Sequence, residues 1–212
     1  MSGAFDKNAP GSAAAAGVIV PRAEYRVFGQ GLIDIVQQKI WDAGATLQKA
    51  RKMPAEVYFI SRHTDEANVK VRDGLLDIKL KVGETPEGYE IFKPSGKVRF
   101  PVKRTDLAVI LGHLKVEMKL DKDVYSIDEF IALARMHVDL AAVTVEKLRY
   151  GFTVDGVICE YARVTFNGAL IETACCESEH HASLKNVIES LGIAAMPNTS
   201  YLKAAKRVVG MI

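Results

Sequence analysis

The sequence predicts an α+β fold of about eight or nine mostly antiparallel strands with helices packed outside them. Three observations predict it. Short runs of alternating polar and apolar residues recur along the chain, separated by turn signals rather than by helix-length connections. Asp155-Gly156 and Asn167-Gly168 join three such runs with the dipeptides that supply positive φ to tight hairpins. Ser126 and Glu129 have the spacing of a capping box and open a stripe of Ile127, Phe130, Ile131, Ala134 and Val138 at helical period.

The elements follow in order. Residues 1–21, rich in Ala, Gly and Ser, carry no periodic apolar pattern and read as a flexible leader. Ala23–Phe28 alternates as a strand, and Leu32, Ile33, Val36, Ile40 and Trp41 make a helix stopped near Gly44. Glu56–Arg62, Asn68–Asp73, Leu75–Val82 and Lys97–Val102 alternate again, with turns at Asp73-Gly74, Pro86/Gly88 and Pro94-Ser95-Gly96. A short helix over Thr105–Leu111, a strand over His113–Leu120 and the capped helix come next. Val143–Val154, Val157–Phe166 and Ala169–Glu177 form the hairpin series, and Ser183–Gly192 and Tyr201–Val209 read as closing helices. No break in composition divides residues 22–212, so a single domain is expected there.

The chain has 212 residues, 49% hydrophobic and 25% charged, enough for a core without disulfides or metal staples. Its net charge of only +2 speaks against a nucleic-acid coat or a polybasic membrane binder. Ala13–Val20 is too short for a membrane span and lacks the flanks of a secretory signal. Cys159, Cys175 and Cys176 lack zinc-type spacing, and reduced thiols in the cytoplasm are expected. Whether the protein is a monomer or a dimer is left open.

Charge is sorted by strand face. Lys70 and Arg72 oppose Val69 and Val71; Asp77, Lys79 and Lys81 oppose Leu76, Ile78 and Leu80; Lys97 and Arg99 oppose Val98 and Phe100. Lys115, Glu117 and Lys119 oppose Val116 and Met118, and Lys147 and Arg149 oppose Leu148 and Tyr150. These polar faces carry ten bases and two acids in a nearly neutral chain. Like charges opposite one another cost roughly 0.2–1 kcal/mol per pair, so the repetition points to an anion that offsets them. The plain alternative is the solvated face of an antiparallel sheet; but helices must cover the apolar faces, and a sheet of this size that curled and closed would put its basic parity in a lumen whose field favours a polyphosphate.

These residues resemble a known family. Val69-Lys70-Val71-Arg72-Asp73-Gly74, Leu76-Asp77-Ile78-Lys79, the Lys147/Arg149 strand, Leu191-Gly192-Ile193 and Pro197-Asn198-Thr199-Ser200-Tyr201-Leu202 look like the CYTH, or triphosphate tunnel metalloenzyme, superfamily, over about residues 22–205. The resemblance implies an eight-stranded antiparallel β-tunnel that binds a triphosphate compound on lumenal bases. Triphosphatases and adenylate cyclases are among its members, with Mg²⁺ or Mn²⁺ held by glutamates. It makes Arg26, Lys70, Arg72, Lys79, Lys81, Lys97, Arg99, Lys147, Arg149 and Arg163 the candidate triphosphate-binding residues, and Glu24, Glu160, Glu177 and Glu179 the candidate metal ligands. The family's first strand reads Glu-x-Glu-x-Lys; here it is Glu24-Tyr25-Arg26-Val27-Phe28, with a base in place of the second acid and an aromatic in place of the lysine. Three readings stand: a metal-dependent triphosphatase, a module that binds a polyphosphate or nucleotide without chemistry, and a structural or assembly protein that merely keeps the fold, which the ten bases on one face disfavour.

Other groupings read as structure. Glu177-Ser178-Glu179-His180-His181 sits at a strand-to-helix junction, Cys175 and Cys176 point to opposite faces, and His63, His113 and His137 have no nucleophile spaced around them. The basic side of the last helix, Lys203, Lys206 and Arg207, is expected to be solvated.

Overall fold

The structure, a computed structural model, describes residues 20–45 and 47–212, so most of the expected leader lies outside the described residues. In chain order the elements are β1 (Ala23–Gly29), α1 (Leu32–Asp42), β2 (Leu47–Lys52), β3 (Glu56–Ser61), β4 (Ala67–Arg72), β5 (Leu75–Glu84), β6 (Glu90–Arg99), β7 (Val102–Lys103), α2 (Arg104–His113), β8 (Val124–Tyr125), α3 (Ile127–Met136), β9 (Leu140–Val154), β10 (Val157–Phe166), β11 (Ala169–Ser178), α4 (His181–Ser190) and α5 (Tyr201–Val208).

Eight strands close a ring in the order β10, β11, β1, β6, β5, β4, β3, β9, with β9 returning to β10, and every pairing is antiparallel. β9 is long enough to hold β3 along Leu140–Val145 and β2 along Leu148–Phe152, so β2 continues the wall beyond β3. The seam between β1 and β6 is only two residue pairs, Ala23 with Ile91 and Glu24 with Glu90. This is the eight-stranded antiparallel tunnel that the family resemblance implies. The hairpin turns also hold: Asp73, Asp155 and Asn167 have φ near 50° and each is followed by a positive-φ glycine. Ser126 and Glu129 form the capping box from both sides.

Strand alternation divides the side chains between two environments. Outward from β1, β10 and β11, Tyr25, Val27, Tyr161 and Cys176 pack under α1 and α4 against Leu32, Val36, Leu184 and Ile188. Outward from β3–β5, Phe59, Val69 and Leu76 pack under α2 and α3, where Phe59 stacks on Phe130 at 4.1 Å between ring centroids. Inward, Ile60, Val143, Val145, Val164 and Phe166 form a third apolar cluster that receives Leu202 and Ala205 of α5. The C-terminal helix therefore stoppers one end of the lumen. Ser200 caps its first turn, Lys203 Nζ lies 2.8 Å from Glu90, and Lys206 Nζ donates to the Thr64 carbonyl at 3.1 Å. Among the described residues no helix is long and apolar enough to cross a membrane.

Four expectations are corrected. His113–Leu120 is not a strand: α2 runs on to His113, and the extended segment after it lays Val116, Met118 and Leu120 onto the helix layer without a pairing partner. Lys115, Glu117 and Lys119 therefore belong to no tunnel face. Of the expected Lys97–Val102 strand, only Lys97–Arg99 is the tail of β6, which starts at Glu90 and pairs β5 out to Glu84 with two register shifts, while Val102 belongs to β7. β2, absent from the expectation, is exposed at every position and has no apolar parity to betray it. Lys206 is not solvated but buried, because α5 enters the ring rather than lying on it.

Candidate functional site

A cavity of about 460 Å³ occupies the lumen, lined by nine bases and five acids. Six of the ten candidate triphosphate-binding residues line it: Arg26, Lys70, Arg72, Lys79, Lys147 and Arg149. Cross-strand register places Tyr58 opposite Lys70 and Glu160 opposite Cys175, all on the inward face, and Lys79 stands beside a register shift of the β5–β6 pair.

Four are not brought in. Arg163 is three residues past Glu160 on β10, so the pleat turns it outward, where it is exposed beside Glu172 at 3.8 Å. Lys97 and Arg99 stand exposed at the rim of β6, clear of the cavity. Lys81 follows the inward parity of Lys79 but ion-pairs with Glu84 and Glu90 in a separate recess of about 320 Å³.

One part of the lining is a base-rich cluster on β3, β4 and β9. Buried Glu56 accepts from Lys147 Nζ at 2.6 Å and from Lys70 Nζ at 3.3 Å, and Arg72 Nε lies 3.3 Å away. Both ammonium groups also donate to the Tyr58 hydroxyl, at 2.9 and 3.2 Å. Burial and the neighbouring Lys70 lower the Lys147 ammonium to about 7, against the pull of Glu56. Burial opposes ionisation of Glu56, yet Lys147 and Lys70 hold its carboxyl down at about 2.

A second part, on β1, β10 and β11, is built around Arg26. Its Nε is 2.6 Å from Glu24 Oε1, its Nη1 is 3.6 Å from Glu160 and 3.3 Å from Thr173 Oγ1, and its Nη2 is 2.9 Å from Cys175 Sγ. Arg149 ion-pairs with the other oxygen of Glu160. Tyr201 joins the two parts: Arg26 Cζ lies 4.6 Å and Lys147 Nζ 4.5 Å from its ring centroid. The Tyr201 hydroxyl is buried with no hydrogen-bond partner among the described residues.

The candidate metal ligands were tested against this geometry. Register sets Glu177 and Glu90 on either side of Glu24, three carboxylates in one row across β11, β1 and β6. Each is turned to its own base: Glu24 to Arg26, Glu90 to Lys203, and Glu177 to Arg22 at 3.6 Å. Burial and the charge on Glu24 raise the Glu177 carboxyl, whereas Arg26 holds Glu24 below its ordinary range although burial opposes it. Among the described residues no three His, Cys, Asp or Glu side chains converge as a metal site. Glu179 is displaced from the set altogether: it pairs with Arg22 at 3.4 Å outside the cavity, since the chain leaves β11 at Ser178. A divalent cation takes one or two carboxylates free of other charges beside the phosphates it binds; here every candidate is ion-paired with a base, although Glu160 Oε1 lacks a hydrogen-bond partner among the described residues.

Glu56, Glu90 and Tyr201 are the functional candidates that sequence reasoning missed. Glu56 heads an otherwise apolar inward series, Glu56, Tyr58 and Ile60, and that lone acid is the signal that could have found it.

A scan against protein families finds no match, and neither does a search of curated proteins. Solved structures similar to the chain include the PH1012 protein of Pyrococcus horikoshii OT3, at 14% identity over 85% of this chain and 97% of that one, TM-score 0.49. HpAC1 of Hippeastrum, an adenylyl cyclase candidate described as having a dominant triphosphatase activity, matches at 11% identity over 91% and 96%, TM-score 0.48. An adenylate cyclase candidate of Bacillus halodurans, bh2851, matches at 12% identity over 86% and 96%, TM-score 0.46. The tunnel itself is defined by this chain's own strand pairing.

Proposed function

We propose that the lumen binds a small molecule carrying a triphosphate or longer polyphosphate, with its phosphates against Lys70, Arg72 and Lys147. The observation that carries this reading is the ratio at Glu56: three bases converge on one buried carboxylate, leaving positive charge that a bound polyanion would neutralise. Lys79 lines the same cavity with no ion-pair partner among the described residues, and the unpaired Tyr201 hydroxyl offers a donor to a phosphate oxygen. The resemblance of the basic strands to the triphosphate tunnel superfamily supports the same ligand class. The committed base and acid pairs on β1 favour binding without metal-assisted hydrolysis, and phosphate release with Mg²⁺ or Mn²⁺ is the assay for the alternative.

The test is a thermal-shift comparison of tripolyphosphate, ATP, phosphate and sulfate at equal ionic strength. Tripolyphosphate at a hundred times its Kd is expected to add about 2.7 kcal/mol of stability. Equal shifts from all four anions would reduce the effect to ionic screening and remove the reading.

A further inference from the structure

We infer that Arg26 is a resident cation of the tunnel, seated among the inward carboxylates, so that the protein takes its polyphosphate as the free anion rather than as a divalent-metal complex. The inference rests on the polyphosphate reading and specifies the chemical form of that ligand.

Arg26 is held from all sides. Its side chain is 6% exposed, and its guanidinium meets Glu24, Glu160, Thr173, Cys175 and the face of Tyr201. Its backbone is anchored too: the amide donates to Asn198 Oδ1 at 3.0 Å, and the carbonyl accepts from Thr199 N at 2.7 Å. A guanidinium keeps its charge at any ordinary pH, so this cation cannot be removed by titration. A divalent ion between Glu24 and Glu160 would stand against that fixed charge with twice the repulsion of a monovalent one, in surroundings that screen poorly. The carboxylates are thus already paired, and the positive charge left for a ligand lies at Lys70, Arg72, Lys79 and Lys147. In solution Mg²⁺ covers part of the charge on tripolyphosphate, and the covered form has less to offer those bases.

Calorimetric titration of the full chain with tripolyphosphate, first in EDTA and then in excess Mg²⁺, tests this. Binding in EDTA that weakens tenfold or more with Mg²⁺ is the expected result. Binding that appears or tightens only with Mg²⁺ would overturn the inference while leaving the polyphosphate reading intact. An absence of binding in both solutions would sink the polyphosphate reading instead.

A second arm needs no phosphate ligand. Mn²⁺ alone, followed by the paramagnetic resonance of the free ion, should show no stoichiometric site in the natural chain. Arg26→Met and Arg26→Gln should each gain one, and Glu24→Gln added to either should lose it. A Mn²⁺ site in the natural chain that Glu24→Gln abolishes would overturn the role of Arg26 whether or not the variants fold. Folded variants at Arg26 that gain no site would overturn it as well.

Discussion

The two ion clusters of the lumen are charge inverses built from the same residue types. On β1, β10 and β11 one base, Arg26, sits among acids; on β3, β4 and β9 one acid, Glu56, sits among bases. Both are buried, and both lie against Tyr201. The difference teaches where an anion belongs. Around Arg26 each acid is ion-paired with a base, so the cluster is closed in charge, although the Glu160 Oε1 atom, 3.6 Å from Arg26, is buried without a hydrogen-bond partner among the described residues. Around Glu56 the bases outnumber their partner, and burial, with the neighbouring Lys70 second, depresses the Lys147 ammonium.

Breaking the base-rich cluster should give the largest effect. Glu56→Gln leaves Lys70 and Lys147 buried without their counter-charge and should cost about 3 kcal/mol in urea unfolding. Tripolyphosphate should restore more stability to this variant than to the natural protein, because it replaces the missing acid. The acid limb should change too. Glu56 is held at about 2, below an ordinary carboxyl, so its stabilisation is complete above the ordinary range and is lost as pH falls toward about 2. Glu56→Gln should flatten that limb; an unchanged acid-unfolding curve would contradict the arrangement around Glu56.

A pair of variants then compares the clusters directly. Lys147→Met should weaken tripolyphosphate binding by roughly tenfold or more, the worth of a hydrogen bond to a charged group. Arg149→Met should change it little, since Arg149 is already committed to Glu160. Equal losses in calorimetry would erase the distinction between closed and open clusters.

The pH profile sharpens the same contrast. Lys147 is charged below about 7 and neutral above it, so binding should fall by up to about tenfold per pH unit on the alkaline side. Lys147→Arg should remove this decline and leave only the ligand's own titration. Stability runs the other way: the unfolded lysine keeps its proton to a higher pH, so raising pH above about 7 relieves a folded-state cost.

The smallest effect belongs to the stopper. Ser200→Ala removes the N-cap of α5 and should cost about 1 kcal/mol in thermal unfolding. Arg163→Ala, on the outer face, should leave tripolyphosphate binding unchanged and serves as the control.

Much of the ring was legible because period-two patterns and turn dipeptides are local signals. Asp155-Gly156 and Asn167-Gly168 set their hairpins, and alternation put Lys70 with Arg72 and Lys147 with Arg149 on one face of their strands, while the resemblance made that face the lumen. What stayed hidden depends on contacts distant in sequence. Nothing local reports that Glu56 meets Lys147 across 91 positions, or that Lys206 is buried because the last helix turns into the lumen. Arg163 shows the opposite failure: its alternation with Glu160 was readable, and counting the pleat from that residue would have placed it outside. His113–Leu120 alternated for a different reason, since a coil laid along a helix layer buries every second residue just as a strand does.

The seam between β1 and β11 also sets a schedule for synthesis. Ala23 pairs with Ser178, so the first strand leaves the ribosome long before its partner is made. At translation rates of about 5–20 residues per second, β1 waits on the order of ten seconds or more with the edge that pairs β11 unfilled. Stalled chains that stop short of β11 should be cut in β1 by protease, and chains released after it should resist. The nascent protein is thus an unfinished ring through most of its making, and the interval before closure is when a chaperone has something to hold.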